Sequence, residues 1–375
     1  MKKNKILIMA NTYWNLYNFR SGVIKKLISS GFDVLAVAHE NRDSDFLKEM
    51  GCRVLPIKIY SKSINPLVEI ITLVHLFFLI IYERPKVCLL YTSKPNIYGS
   101  LASTFLGCSY INNISGLGSV FISGGWIKNF IVFFYKFSLI RSHKVFFQNR
   151  DDLDFFLNLG LLKIEQSLIL PGSGVDLERF KPENISNNLN TDQDFSFILI
   201  ARMIKDKGVI EYVEAAKIVH KSFKNVKFKL LGPLGVDNPS AITKAEMINL
   251  VNTCKVEYLG LANDVRPFIE SSTCVVLPSY REGTSRVLLE AAAMCKPIIT
   301  TDVPGCKNVV EDGKTGFLCK AKSATDLAQK MIQMIELSSV ERFKMGALAR
   351  KKMQNEYDER LVIDMYMKEI KKIVK

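Results

Sequence analysis

The sequence contains no C-x-x-C pair, no repeat of fixed period and no low-complexity tract, and it has only four histidines and two tryptophans in 375 residues. Its eight cysteines (Cys52, Cys88, Cys108, Cys254, Cys274, Cys295, Cys306, Cys319) are scattered, several inside apolar runs such as Val87–Leu90. That pattern excludes a disulfide framework and reads as reduced core residues of a cytosolic protein. Acidic residues are scarce at one end only: residues 1–150 hold 7 Asp/Glu against 19 Lys/Arg, whereas residues 151–375 hold 30 against 32. The formal charge of +14 is therefore concentrated in the N-terminal part. Such a field attracts nucleic acid, an anionic membrane or a phosphorylated substrate, and composition does not choose among them. Long hydrophobic runs are missing too. The longest charge-free one, Ile70–Tyr82, spans roughly 20 Å as a helix against a bilayer core of about 30 Å, so it is too short to cross. It reads either as a buried helix or as a segment lying in a membrane surface. The opening MKKNKILIMANTYW has five apolar residues before Asn11. A secretory segment needs about 7–15, so this stretch reads as a first β-strand.

With 48% hydrophobic and 23% charged residues, the chain is globular rather than disordered, and its length suggests two domains. Short apolar runs alternate with helical patterns. Ile6–Ala10, Val34–Ala38, Val54–Ile59, Val87–Tyr91, Tyr110–Asn112 and Val145–Gln148 read as strands apolar on both faces, joined by helices, which predicts a covered parallel sheet. After Leu168–Leu170 a stretch rich in Gly, Pro, Asn and Asp runs to Phe195 and reads as a linker. The alternation restarts with Phe197–Ala201, Val226–Leu231, Val256–Leu259, Cys274–Leu277 and Pro297–Thr300. The expected architecture is α/β: two facing Rossmann-like domains, residues 1–180 and 181–375, with the carboxyl ends of both sheets at an interdomain cleft. The stretch Ser323–Lys375 is helical in pattern, and its last helix is a candidate to cross back to the first domain.

The segment richest in chemistry runs from Pro278 to Phe317. A strand ends at Leu277, a loop carries Glu282–Gly283–Thr284–Ser285, and a helix opens near Ser285 and carries Glu290 about 7–8 Å further in. Two carboxylates thus bracket a helix N-terminus, whose free N–H groups and dipole suit a diphosphate, while Gly283 lets backbone approach. A nucleotide sugar has hydroxyl-rich groups on both sides of its diphosphate, and the spacing fits its length. The plain alternative is an N-capping Ser285 with a solvated Glu282 and a salt-bridged Glu290.

These residues resemble the retaining, family-4-type glycosyltransferases of two-Rossmann-domain (GT-B) architecture, marked by an E-x7-E motif. Glu282 and Glu290 match that motif, and E-G-T-S-R-V-L-L-E-A, T-D-V-P-G-C and E-D-G-K-T-G-F match its surroundings. The resemblance implies that Glu282 contacts the donor sugar, that Glu290 contacts the ribose, and that the N–H groups of Gly283, Thr284 and Ser285 lie near the diphosphate. Arg202 and Lys207, in a stretch like the family's basic pair, would neutralise the leaving nucleoside diphosphate as a metal does elsewhere. In the first domain, Asn113–Ser119 resembles the G-L-G loop of polyprenyl-linked sugar transferases, which makes Gly116, Leu117 and Gly118 an acceptor or sugar loop. Arg20 and Lys94 are candidates for an anionic acceptor, although each also reads as an ordinary surface charge. The sequence departs from the family at two points. Asn11–Thr12–Tyr13–Trp14–Asn15 replaces a glycine-rich turn, and Asn308 stands where relatives often carry Glu.

A metal site is not expected. Asp43–Asp45, Asp152–Asp154 and Asp192–Asp194 match a D-x-D pair but fall at expected helix starts or in the linker, and the histidines show no ligand spacing. The expected activity is transfer of a hexose or N-acetylhexosamine, best matched by N-acetylgalactosamine. The donor is a UDP-sugar and the acceptor a polyprenyl-diphosphate-linked sugar of a bacterial capsule, O-antigen or other surface glycan, with retention and without a cofactor or metal. Resemblance to α-1,3-N-acetylgalactosaminyltransferases carries that choice. The basic first domain, Ile70–Tyr82 and Trp126–Ile140 suit the inner face of an anionic cytoplasmic membrane. The aromatics of these segments sit at core-like helical spacing, which argues against a nucleic-acid groove. The alternatives are a hydrolysing nucleotide-sugar 2-epimerase and a noncatalytic membrane- or nucleic-acid-binding protein.

Overall fold

The structure, a computed structural model, describes residues 4–39, 43–59, 65–117, 126–183 and 195–375. The chain divides into two compact units, Met1–Ser173 with Glu359–Lys375, and Gly174–Asp358. In the first, β1 (Lys5–Thr12), β2 (Asp33–His39), β3 (Arg53–Pro56), β4 (Val87–Tyr91), β5 (Ser109–Ile114), β6 (Lys144–Phe147) and β7 (Ser167–Ile169) form one parallel sheet in the order β3-β2-β1-β4-β5-β6-β7. In the second, β8 (Ser196–Ile200), β9 (Lys227–Leu231), β10 (Val256–Tyr258), β11 (Cys274–Leu277), β12 (Ile298–Thr301) and β13 (Gly316–Cys319) are parallel in the order β10-β9-β8-β11-β12-β13.

Unbroken apolar strands are what a sheet covered on both faces requires. Along β1, Ile6, Ile8 and Ala10 enter one core and Leu7 and Met9 the other. Along β8, Phe197 and Leu199 are likewise separated from Ile198 and Ile200. The returning helix Glu359–Val374 places Val362, Tyr366, Met367 and Ile370 in the first unit's core beside the Tyr13–Ser29 helix.

Two boundaries differ from the sequence reading. The division falls between Ser173 and Gly174, not at 180, because Val175, Leu177 and Phe180 are core residues of the second unit. Arg350 fixes them there by donating to the carbonyls of Phe180 (3.0 Å) and Leu177 (3.3 Å). The apolar run 70–82 lies in a longer helix, Pro66–Glu83, started by Asn65, whose side chain accepts from the Leu67 N–H, and by Pro66 in its first turn. At 18 residues this helix is long and apolar enough to cross a bilayer. Its Leu76, Leu79 and Ile80 nonetheless pack into the core, and Glu83 is ion-paired to Lys5 and Arg53.

Candidate active site

Strand order reverses between β8 and β11, and the loops leaving these two strands at their carboxyl ends enclose the crevice where open α/β sheets bind ligands. The loop after β8 carries Arg202 and Lys207 and ends at Gly208, whose φ of 72° opens the helix Val209–Val219. A Cβ at Gly208 would meet the Pro278 carbonyl oxygen at 2.1 Å, so only glycine lets this loop lie against the one after β11. Asp206 completes the junction by accepting from the Tyr280 N–H at 2.9 Å. That closure brings Lys207 onto Glu282: the ammonium donates to Oε1 of the carboxylate, with both side chains mostly buried.

A third loop, after β12, cradles the Glu282 loop. The Glu282 N–H donates to the Pro304 carbonyl and the Ser285 N–H to the Gly305 carbonyl, both at 3.1 Å. Gly305 has φ 78°, and a Cβ there would come within 2.3 Å of the Glu282 carbonyl oxygen. Asn308 holds the turn, its Oδ1 accepting from the Gly305 N–H at 3.3 Å, while its carbonyl accepts from the Tyr357 hydroxyl at 2.9 Å. The amide at the position often occupied by Glu is thus a structural partner of the site. Gly208, Gly305 and Asn308 as supports are missing from the sequence reading. Their signal was faint: glycines following Lys-Asp-Lys and Val-Pro, and an Asn three residues after the second glycine.

The helix Arg286–Ala293 starts after Ser285, whose side chain makes no capping bond and whose N–H is taken by Gly305. This corrects the expectation that the N–H groups of Gly283–Ser285 all face a ligand, because the Ser285 donor is spent inside the protein. Glu290 lies one turn in and accepts from Arg286 Nε at 3.0 Å, an i,i+4 pair. Burial pushes the Glu290 carboxyl up from its ordinary range, and the guanidinium opposes that only in part. Burial likewise pushes the neighbouring Cys306 thiol to about 12, with the Glu282 charge adding to it. Glu282 is therefore paired rather than solvated, and Glu290 is salt-bridged as the plain alternative held. Arg202 differs from Lys207 in being exposed and without an ion-pair partner among the described residues.

A cavity of about 630 Å3 in the same unit is lined by Arg179, Asp264, Arg266, Glu270, Lys296 and Arg342. Its Thr273 and Pro297 precede β11 and β12, so it reaches the amino ends of the strands, and the charges of its Arg179 and Asp264 act on Glu290. Among the described residues no group of three or more His, Cys, Asp or Glu is placed to hold a metal ion. Of the D-x-D pairs, Asp45 binds Lys48, Asp152 is held by Asn149 and Asp154 by Arg150, while 192–194 lie outside the described residues.

In the first unit the corresponding reversal lies between β1 and β4. Asn11 and Thr92, at the ends of these strands, are joined by two hydrogen bonds, and Thr92 has φ 66°, rare for a β-branched residue. Arg20 is not the surface charge that it resembles in sequence. It is 3% exposed, stacks at 4.4 Å over the Tyr91 ring, reaches Asn113 at 3.5 Å, and leaves Nε and Nη1 without hydrogen-bond partners among the described residues. Asn113 in turn donates to the Tyr366 hydroxyl at 2.8 Å, tying in the returning helix. Lys94 is not a free cation either, since it is ion-paired with Glu69 of the Pro66–Glu83 helix. Gly116 has φ 128°, Leu117 is buried, and Gly118 lies outside the described residues.

Residues 180–352 match the family described as glycosyl transferases group 1. The match lies within the second unit, and the protein is a glycosyltransferase of GT-B fold. Along nearly its whole length it is similar to an N,N'-diacetylbacillosaminyl-diphospho-undecaprenol α-1,3-N-acetylgalactosaminyltransferase of Campylobacter jejuni, with 28% identity covering 96% of each chain. It is also similar to the capsular polysaccharide biosynthesis glycosyltransferase CapM of Staphylococcus aureus, with 24% identity over 96% of this chain and 95% of that one. In fold it matches Anabaena HepE, solved in complex with UDP and glucose, with a TM-score of 0.77, 17% identity and coverage of 98% and 99%.

Proposed function

We propose that the protein transfers an N-acetylhexosamine, N-acetylgalactosamine being the best match, from a UDP-sugar to a polyprenyl-diphosphate-linked sugar. The reaction proceeds with retention, at the inner face of the cytoplasmic membrane, in bacterial surface glycan assembly. The single observation that carries the reading is the Lys207–Glu282 pair at the carboxyl end of the β8/β11 reversal, with Glu290 one helical turn beyond. The name of the Campylobacter relative supports the choice of sugar and acceptor.

In this reading Glu282 accepts hydrogen bonds from the donor sugar's hydroxyls and Glu290 from the ribose, while Gly283 and Thr284 line the diphosphate and Ser285 anchors their loop to the Gly305 carbonyl. Lys207 exchanges the carboxylate for the diphosphate when the donor enters, and Arg202 joins it. The two cations stabilise charge as the bond from the anomeric carbon to the diphosphate oxygen breaks and its electron pair stays on that oxygen. The acceptor hydroxyl forms the new bond on the same face and passes its proton to the departing phosphate oxygen. The enzyme supplies position and charge, without a metal. In the first unit, Arg20, Lys94 and the Gly116–Leu117–Gly118 loop serve the acceptor, Lys94 by way of its Glu69 partner.

The test is a screen of UDP-sugars against a polyprenyl-diphosphate-linked sugar, read by mass. A product heavier by one N-acetylhexosamine, made from UDP-N-acetylgalactosamine in preference to UDP-glucose and UDP-galactose, is expected. Hydrolysis or 2-epimerisation of the donor with no glycolipid product would overturn the reading.

A further inference from the structure

The Pro66–Glu83 helix packs on Ser100–Phe105, which packs on Trp126–Leu139, so the three are neighbours in one helical layer. Their inner residues complete the core, with Leu76, Leu79 and Ile80 on the first helix, Ala102 on the second, and Tyr135 and Leu139 on the third. Their outer residues are apolar as well. Leu67 is 70% exposed, Phe78 63%, Phe105 75% and Phe133 57%, with Ile71 and Phe137 between them. The aromatics of 126–140 are thus not all core residues. Phe133 stands outward with its ring centroid 4.9 Å from that of Phe137. Water-exposed apolar surface of this continuity marks an interaction face.

Charge identifies what covers it. The two acids of the first helix, Glu69 and Glu83, are turned inward and ion-paired with Lys94 and with Lys5 and Arg53. The third helix has no acid at all. Among the described residues, the exposed charges on these helices and in the first three residues after them are cationic: Arg84, Lys86, Lys136 and Arg141. A second copy of the chain docking by two-fold symmetry would set these cations against their own counterparts. An anionic bilayer complements them.

We propose that the outward faces of these three helices form one docking surface for an anionic bilayer, with the Pro66–Glu83 helix lying flat in the headgroup boundary rather than crossing it. Crossing would withdraw Leu76, Leu79 and Ile80 from the core and strip Glu83 of both cations. The proposal deepens the reading of a membrane-held acceptor and rests on it for its purpose. The helix that meets lipid is tied by Glu69 to Lys94, in the loop that leaves β4 at the strand reversal, so docking holds that loop at the surface from which a lipid-linked sugar projects.

The test uses the full chain with vesicles of phosphatidylcholine, with and without phosphatidylglycerol, and follows sedimentation and transfer together. Wild type should bind the anionic vesicles and be partly released by salt. Ile71→Gln/Phe78→Gln/Phe133→Gln should weaken binding at least about tenfold, which is about 1.4 kcal/mol. It should slow transfer to a long-chain acceptor in vesicles and leave transfer to a water-soluble short-chain acceptor unchanged. Lys136→Gln/Arg141→Gln should reduce the salt-sensitive part alone, and it serves as the decisive variant if the triple variant melts lower. Vesicle binding by the triple variant within twofold of wild type, or a concentration-dependent dimer that the triple variant dissolves, would overturn the proposal. Loss of vesicle binding in the variants, with a wild type that transfers sugar to neither acceptor, would uphold the surface and sink the functional reading instead.

Discussion

A carboxylate does two different things in this site. Glu282 is mostly buried against Lys207, and in the proposed function this pair opens when a diphosphate competes for the cation. Replacing it with Gln keeps the shape and removes the charge, so the fold survives while hydrogen bonds to the sugar weaken. Turnover of Glu282→Gln should fall about 100-fold or more with an unchanged circular dichroism spectrum. Lys207→Ala loses a charge-assisted contact to the leaving group, and calorimetry with UDP should show roughly 10- to 100-fold weaker binding. Glu290 carries a different signature, because burial raises its pKa. The folded protein therefore holds that proton more tightly than the unfolded chain, so this group's contribution to stability declines as pH rises above the ordinary carboxylate range. Glu290→Gln should flatten that decline above the ordinary carboxylate range in thermal melts and still weaken UDP binding through the ribose. A Gln variant whose melting follows pH as wild type does would show that Glu290 is not the titrating group.

At the scale of elements, the site of the second unit depends on loops held by glycine, and the core of the first unit on a helix that returns from the end of the chain. Gly305→Ala combines a left-handed φ with a Cβ 2.3 Å from the Glu282 carbonyl oxygen, so the loop must shift. A loss of more than about 1 kcal/mol, together with weaker UDP binding, is expected in denaturant titration. Tyr366→Phe leaves the buried Asn113 amide without its acceptor and should cost about 1–3 kcal/mol. The E-x7-E spacing was legible because a helix turns residue spacing into distance. The supports were not, because Gly305 and Asn308 act through backbone contacts between loops that are distant in sequence. The edge strand β13, Gly316–Cys319, went unread for a similar reason: four residues show no periodicity, and their pairing with β12 is a tertiary fact. Arg20 looked like a surface charge because the sequence does not reveal that Tyr91, Asn113 and Tyr366 close over it.

For the whole molecule, the uneven charge and the two-sheet fold describe a glycosyltransferase with the Glu282–Lys207 pair in the second unit and an apolar and basic helical face in the first. The sheets were legible as soon as both-faces-apolar strands were recognised, since such strands have no other stable home in a globular protein. The outward face of 126–140 was not, because helical spacing reports which residues share a face and does not say whether that face points to core or to solvent. The central claim is a retaining transfer driven by side-chain and helix charge alone, and the most direct measurement is the anomeric configuration of product formed under exhaustive chelation. Full-length protein with UDP-N-acetylgalactosamine, a polyprenyl-diphosphate-linked sugar and excess EDTA should yield the elongated lipid with an α-linkage, read from the anomeric proton coupling. A β-linkage, or activity that vanishes in EDTA and returns with magnesium or manganese, would contradict it.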